Sequence, residues 1–189
     1  MGVFAAKGYA GTRMEDIARE AGVTKGTIYL YFESKEAVLK ALVRESIGTT
    51  IDQVADRVRT FEGSTPDLLR FVLTAIGQFI VTSDRVVLPK IVVAEAGNFP
   101  ELARFYRAEI IDKGIALMSA VIARGVERGE FRAVSPGHVA RLCIAPLLLA
   151  AIWRTTFAQF DAKPYDYQGL TETHIETLLR GLAAEGTPT

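Results

Sequence analysis

The sequence predicts an all-α protein: a small N-terminal helix-turn-helix module of three helices followed by a larger helical bundle, about nine helices in all. Three observations predict it. Apolar residues recur every three or four positions along almost the whole chain. Segments alternating apolar and polar residues between hairpin turns are nearly absent. Glycine, Ser/Thr and proline fall where helices would start and stop.

Taken in order, Val3, Phe4 and Lys7 close a first helix at Gly8, a residue suited to the left-handed backbone after a helix end. Met1 is followed at once by these helix-ending residues, so the first helix reads as truncated. Thr12 and Glu15 stand at capping-box spacing and open a second helix over 13–20. Gly22 breaks it, Thr24 caps a third helix over 24–31, and Ser34 with Glu36 starts a fourth. The fourth is long, with Leu39, Val43, Ile47, Ile51, Val54 and Val58 forming one apolar stripe. Gly63 ends it, and Pro66 suits the first turn of the fifth, whose stripe is Leu69, Val72, Leu73, Ile76, Phe79 and Ile80. A segment through Glu95 closes at Gly97 and Asn98. Leu102, Phe105, Tyr106, Ile111, Ile115, Met118, Ile122 and Val126 trace another long helix, which Gly129 ends. Ser135 and Pro136 begin an apolar helix containing Trp153 and Phe157, read as buried on most sides. After a loop over 159–168, Leu170, Ile175, Leu178, Leu179 and Leu182 mark the last helix, which frays at Gly186, Thr187 and Pro188. The domain boundary is expected at 1–47 against 48–189.

Composition limits the function. With 49% hydrophobic and 23% charged residues in 189, the chain can bury a sizeable core. Its formal net charge of zero means that any attraction to nucleic acid must come from a local motif. One cysteine, Cys143, excludes an internal disulfide and a Cys-rich zinc site and fits a reducing cytosol. His138 and His174 stand alone, so no metal or cofactor is expected. The longest apolar run, 142–153, falls short of the about 20 residues that span a bilayer, so no membrane is expected. Without a nucleophile–base pairing or a phosphate loop, neither is an enzyme.

The informative stretch is two short helices joined by Ala21, Gly22 and Val23. Ala18 is small where the helices would cross, and Ile17, Val23 and Ile28 would form the core between them. With those turned inward, Lys25, Gly26, Thr27 and Tyr29 face outward, and a glycine in a recognition helix lets backbone approach DNA. Tyr31 reads equally as core or as a DNA contact. Helix starts at Thr12–Arg13 and Ser34–Lys35 could grip phosphates on either side.

The run GYAGTRMEDIAREAGVTKGTIYLYFESKEAVLKALV resembles the DNA-binding region of the TetR (tetracycline-repressor-like) family of bacterial regulators. Gly8, Tyr9, Thr12, Asp16, Ile17, Ala18, Ala21, Gly22, Val23, Tyr29, Tyr31, Phe32, Ser34, Lys35 and Glu36 carry the resemblance. A weaker similarity lies in ARGVERGEFR, over 123–132. The resemblance implies a cytoplasmic homodimeric repressor of transcription, released from its operator by a small apolar or amphipathic ligand. It also implies that Thr12 and Arg13 touch phosphate, that Thr24, Lys25, Gly26 and Thr27 face the groove, that Tyr29 and Tyr31 contact backbone or a base edge, and that Lys35 anchors a phosphate.

Ligand candidates are Phe79, Phe105, Met118, Trp153 and Phe157, at a spacing that is usually plain core, and Glu95, a carboxylate set among apolar residues that either recognises a ligand or pairs with an arginine. Helices over 139–157 and 170–182 carry more apolar surface than one bundle needs, and are the expected homodimer interface on two-fold related half-sites. A C-terminal part that only dimerises, or a small-molecule carrier, stays open on the residues alone.

Overall fold

The structure is a computed structural model that describes residues 1–184; the fraying expected at Gly186, Thr187 and Pro188 lies outside the described residues. Its helices are α1 (Gly2–Gly11), α2 (Met14–Glu20), α3 (Lys25–Tyr31), α4 (Lys35–Val43), α5 (Thr49–Arg59), α6 (Thr65–Thr82), α7 (Val87–Glu95), α8 (Pro100–Tyr106), α9 (Asp112–Glu127), α10 (Pro136–Thr156) and α11 (Tyr167–Leu182). Wide π-type turns at Arg44–Gly48 and Arg107–Ile111 join α4 to α5 and α8 to α9 without a break. The described residues therefore make nine helical rods and no strand, apart from one bridge between Phe131 and Ala183.

Helix ends follow local chemistry. Gly8 has φ 67° and kinks the end of α1, and Gly22 has φ 68° in the turn after α2, a backbone that costs other L-residues about 1–2 kcal/mol. The Thr24, Ser34 and Ser64 hydroxyls accept from the backbone N–H groups of Thr27, Ala37 and Asp67, capping α3, α4 and α6. The second helix opens differently from the expectation. Arg13, not Thr12, is its N-cap, and its backbone N–H donates to the Asp16 carboxylate at 3.3 Å.

Two cores result, and two rods, α4–α5 and α8–α9, serve both. In the head core, Phe4, Tyr9, Ala18 and Ile28 meet Leu39 and Val43 of α4, together with Leu88 and Ile91 of α7 and Leu102 and Ile110 from the α8–α9 rod. The bundle core joins Leu68, Leu69 and Leu73 of α6 to Val121 and Ile122 of α9, Cys143 and Leu147 of α10, and Ile175 of α11. Along α4–α5, Ile47 and Ile51 pack on the head core, while Val54 and Val58 pack on the bundle core.

By length and composition alone α10 is apolar enough to cross a membrane, yet Pro146 lies inside it and it packs on α6, α7, α9 and α11. Against the expectation of burial on most sides, it is apolar on two sides and only one of them is covered. Val139, Cys143, Leu147 and Ala150 face the core, whereas Leu142, Leu149, Trp153 and Phe157 form an open ridge. In α11 the apolar surplus expected over 170–182 is largely absent. Its leucines turn inward and Thr173, Glu176, Thr177 and Arg180 take the outside.

Candidate functional site

The α2–α3 pair carries the first candidate surface. Ala18 is buried where α2 meets α3, and Ile28 is buried beside it. The turn closes through Val23 N–H donating to the Ala18 carbonyl at 3.0 Å. Val23 is 40% exposed rather than buried, because it borders a shallow apolar hollow of about 410 Å³ between α1, α3 and α4.

Helix α3 stands out from the head. Lys25, Gly26, Tyr29 and Tyr31 are exposed, with Tyr31 at 78%, which removes the core reading for that residue. Leu30, at 83%, shares this outer side and was not singled out from the sequence. Thr24 and Thr27 hydroxyls bond each other at 2.8 Å at the start of the helix. Lys25 pairs with Glu15 and lies 6.0 Å from the Tyr29 ring centroid. The Glu15 hydrogen bond raises the Lys25 pKa, so the ammonium stays charged on this surface. Arg13 is exposed at the start of α2. The Asp16 carboxylate below it is held under the usual carboxylate range by its bond to Lys7, 2.8 Å away.

Two expected phosphate contacts are placed elsewhere. Thr12 is 1% exposed, and its hydroxyl donates to the Gly8 carbonyl at 2.6 Å; it fixes the α1–α2 corner. Lys35 Nζ donates to the carbonyls of Tyr9, Ala10 and Thr12 at 2.8, 3.2 and 3.2 Å and sits 4.6 Å from the Tyr9 ring centroid. An ammonium has three protons, and all three are used. Lys35 thus clasps the carbonyl end of α1, where a cation is favoured, instead of facing outward.

The second candidate site is a hollow of about 390 Å³ under the head, bordered by α5 to α10 and both wide turns. This lies in the range of small-molecule sites, about 300–1,000 Å³. Its lining is aliphatic and aromatic except for Thr50, Tyr106 and Arg141. Of the ligand candidates, Phe79 and Met118 line it and four others do not. Glu95 accepts from the Ala10 N–H at 3.1 Å, tying α7 to α1. Phe105 lies at the head–bundle junction beneath Lys40 and Arg44, 5.4 and 4.8 Å from its centroid. Trp153 and Phe157 stack 5.2 Å apart on the outer ridge, with the Trp153 indole donating to Asp161 at 3.0 Å. Tyr106 and Arg141 were not flagged from the sequence, because only the fold shows that both border this hollow.

Residues 1–42 match the family profile of bacterial regulatory proteins, tetR family, and residues 62–162 match the tetracyclin repressor-like C-terminal domain. The chain is 26% identical over 180 residues to the fatty acid metabolism regulator protein of Bacillus subtilis, spanning 95% of this chain and 90% of that one. Among solved structures it resembles the fatty acid degradation regulator FadR of Bacillus halodurans, with TM-score 0.75 and 25% identity over 94% of this chain and 89% of that one. It also resembles FadR of Bacillus subtilis in complex with stearoyl-CoA, with TM-score 0.75 and 22% identity over 96% and 94% of the two chains. A protruding α3, a capped helix-turn-helix and a matched C-terminal bundle agree with both profiles: the chain belongs to the TetR family of bacterial regulatory proteins.

Proposed function

We propose that this protein is a cytoplasmic repressor that grips a two-fold operator as a homodimer and lets go when an apolar or amphipathic small molecule fills the hollow beneath the head. The observation that carries this reading is the position of the hollow. It is bordered by Ile47 and Ile51, which belong to the same continuous rod as α4, the helix on which the head is built. A ligand that favours one setting of that rod changes the spacing of two heads, and couplings of about 1–3 kcal/mol alter affinity about 5–150-fold.

On the DNA side, Arg13 meets phosphate, Thr24, Lys25, Gly26 and Thr27 face the major groove, and Tyr29 and Tyr31 flank it. The exposure of Arg13, Thr24, Lys25, Gly26, Tyr29 and Tyr31, with Thr27 half-buried beside them, supports this assignment. The open ridge of α10 pairs with its symmetry mate, since Leu142, Leu149, Trp153 and Phe157 otherwise leave apolar surface in water. The stearoyl-CoA held by the Bacillus subtilis relative makes an acyl-CoA the first ligand class to try.

The test is fluorescence anisotropy of the protein on DNA from upstream of its own gene, with and without palmitoyl-CoA. Tight binding at low salt that weakens on adding the thioester is expected. Absence of any retardation would sink the operator reading, and binding indifferent to every apolar ligand would leave a C-terminal part that only dimerises. Thr27→Ala is expected to relax preference at one base pair by about 1–3 kcal/mol; equal losses on operator and random DNA would remove its base-reading role.

A further inference from the structure

The hollow has a direction. On α10 its lining runs from Arg141 to Ala151, about 15 Å of helix, and on the α8–α9 rod from Tyr106 to Met118, about 18 Å. A hollow of about 390 Å³ drawn out over that length is a channel. Helix α10 folds back on α9 through a short connection, so the two run antiparallel. Arg141 therefore stands at the Met118 end, and Tyr106 at the other, beside Ile47 and Ile110.

The two ends differ chemically. Arg141 is the one charged side chain in the lining and is exposed. Its guanidinium donates through Nη1 to the Gly137 carbonyl of its own helix at 2.8 Å. Among the described residues no carboxylate pairs with it, leaving most of its five N–H groups free. Tyr106, by contrast, is 7% exposed. A phenol is uncharged at neutral pH and burial raises its pKa further, so that end is neutral. A charged group can be accommodated at Arg141 and not at Tyr106.

We infer that the effector is a linear amphiphile, an unbranched hydrocarbon chain ending in an anionic head, with the head held by Arg141 and the chain running towards Tyr106 and Ile47. This rests on the reading of the hollow as the effector site. A planar guanidinium suits a head with several anionic oxygens, whether the carboxylate of a free fatty acid or the phosphates of a coenzyme A thioester. Chain length becomes the regulatory variable, because only a long chain reaches Ile47, the lining residue of the α4–α5 rod that lies nearest the head. Each added methylene strengthens binding about fourfold until the channel is full.

Displacement of Nile red, a neutral apolar dye, from the purified full chain tests this. On the wild type, palmitate or palmitoyl-CoA is expected to displace the dye at a concentration at least tenfold lower than hexadecanol, which has the same chain and no charge. Arg141→Gln is expected to erase that advantage with hexadecanol unchanged, and Arg141→Lys to restore part of it. Octanoate is expected to leave operator binding intact. Palmitate acting alone identifies a carboxylate head, and palmitoyl-CoA acting alone a phosphate head. Hexadecanol matching both anions on the wild type, or an advantage that survives Arg141→Gln, overturns the head assignment while the hollow remains a ligand site. Failure of all three compounds to displace bound dye removes the hollow as effector site, and this inference with it.

Discussion

In the head, α1 is pinned at both ends by charged side chains, whereas in the bundle the buried contact of α6, α9 and α10 is apolar and Arg154 of α10 clasps only the end of α6, at the Ile80 and Ser83 carbonyls. The backbone N–H groups of Gly2 and Val3 donate to Glu20 at 2.9 and 2.7 Å, and the far end of α1 is held by Lys35 and Glu95. In the bundle core the residues are Leu, Val, Ile, Ala, Met, Phe and Cys. Directional bonds fix orientation, which a surface that must match DNA requires. Apolar packing fixes volume but tolerates rearrangement at constant volume, and the bundle is where the channel of about 390 Å³ lies. The difference teaches that polar clasps aim the reading module, while an apolar core fills each region.

The largest expected effects come from emptying each core. Leu39 and Leu68 are fully buried, one in each region, and Leu39→Ala and Leu68→Ala should each cost about 3–5 kcal/mol in urea unfolding. Because the α4–α5 rod belongs to both cores, both variants should shift one shared transition. Two transitions, with Leu39→Ala moving only one, would break the molecule into independent parts.

Next in size is Lys35→Met, which takes the ammonium from three carbonyls, of which only that of Tyr9 keeps a donor in the Thr12 N–H, and should cost about 2–3 kcal/mol. The dependence of operator affinity on salt should stay as in the wild type. A slope reduced by about 1 would return Lys35 to the phosphate role and undo its place as a clasp.

Smallest for stability is Gly114→Leu. Gly114 lines the channel, and a Cβ there meets no atom within 4 Å. The change should move the unfolding midpoint by no more than about 1 kcal/mol, since the helix gains from losing glycine. Palmitoyl-CoA should nevertheless lose its effect on DNA binding, measured by anisotropy. Full retention of the response would place the ligand outside the channel.

Much of this was legible in the residues. Gly8, Gly22 and Gly129, all expected at helix ends, are the three positive-φ positions among the described residues. The run from Leu39 to Val58 does form one continuous rod. Where reading failed, the partner came from elsewhere in the chain. Lys35 and Ser34 together suggest a helix start facing phosphate, and nothing local says that the end of α1 lies within reach of the ammonium. Aromatic spacing was equally silent on direction. Phe79 and Phe157 both sit at helical intervals, yet one lines the channel and the other the outer ridge, because α10 is apolar on two sides and periodicity does not choose between them. A channel is a place without atoms, so no residue pattern announces it; only the charge of Arg141 within an apolar lining marks an end.

The continuity of α4 with α5 sets a rule for how this protein can change over time. Each residue added to a helix turns everything beyond it by about 100°. One insertion between Val43 and Val54 would swing α3 round to a new bearing and detach Ile47 from the channel in the same step. Loops such as 161–166 can vary in length without that penalty, so lineages descending from this chain should differ in their loops and keep the count of residues in this rod constant.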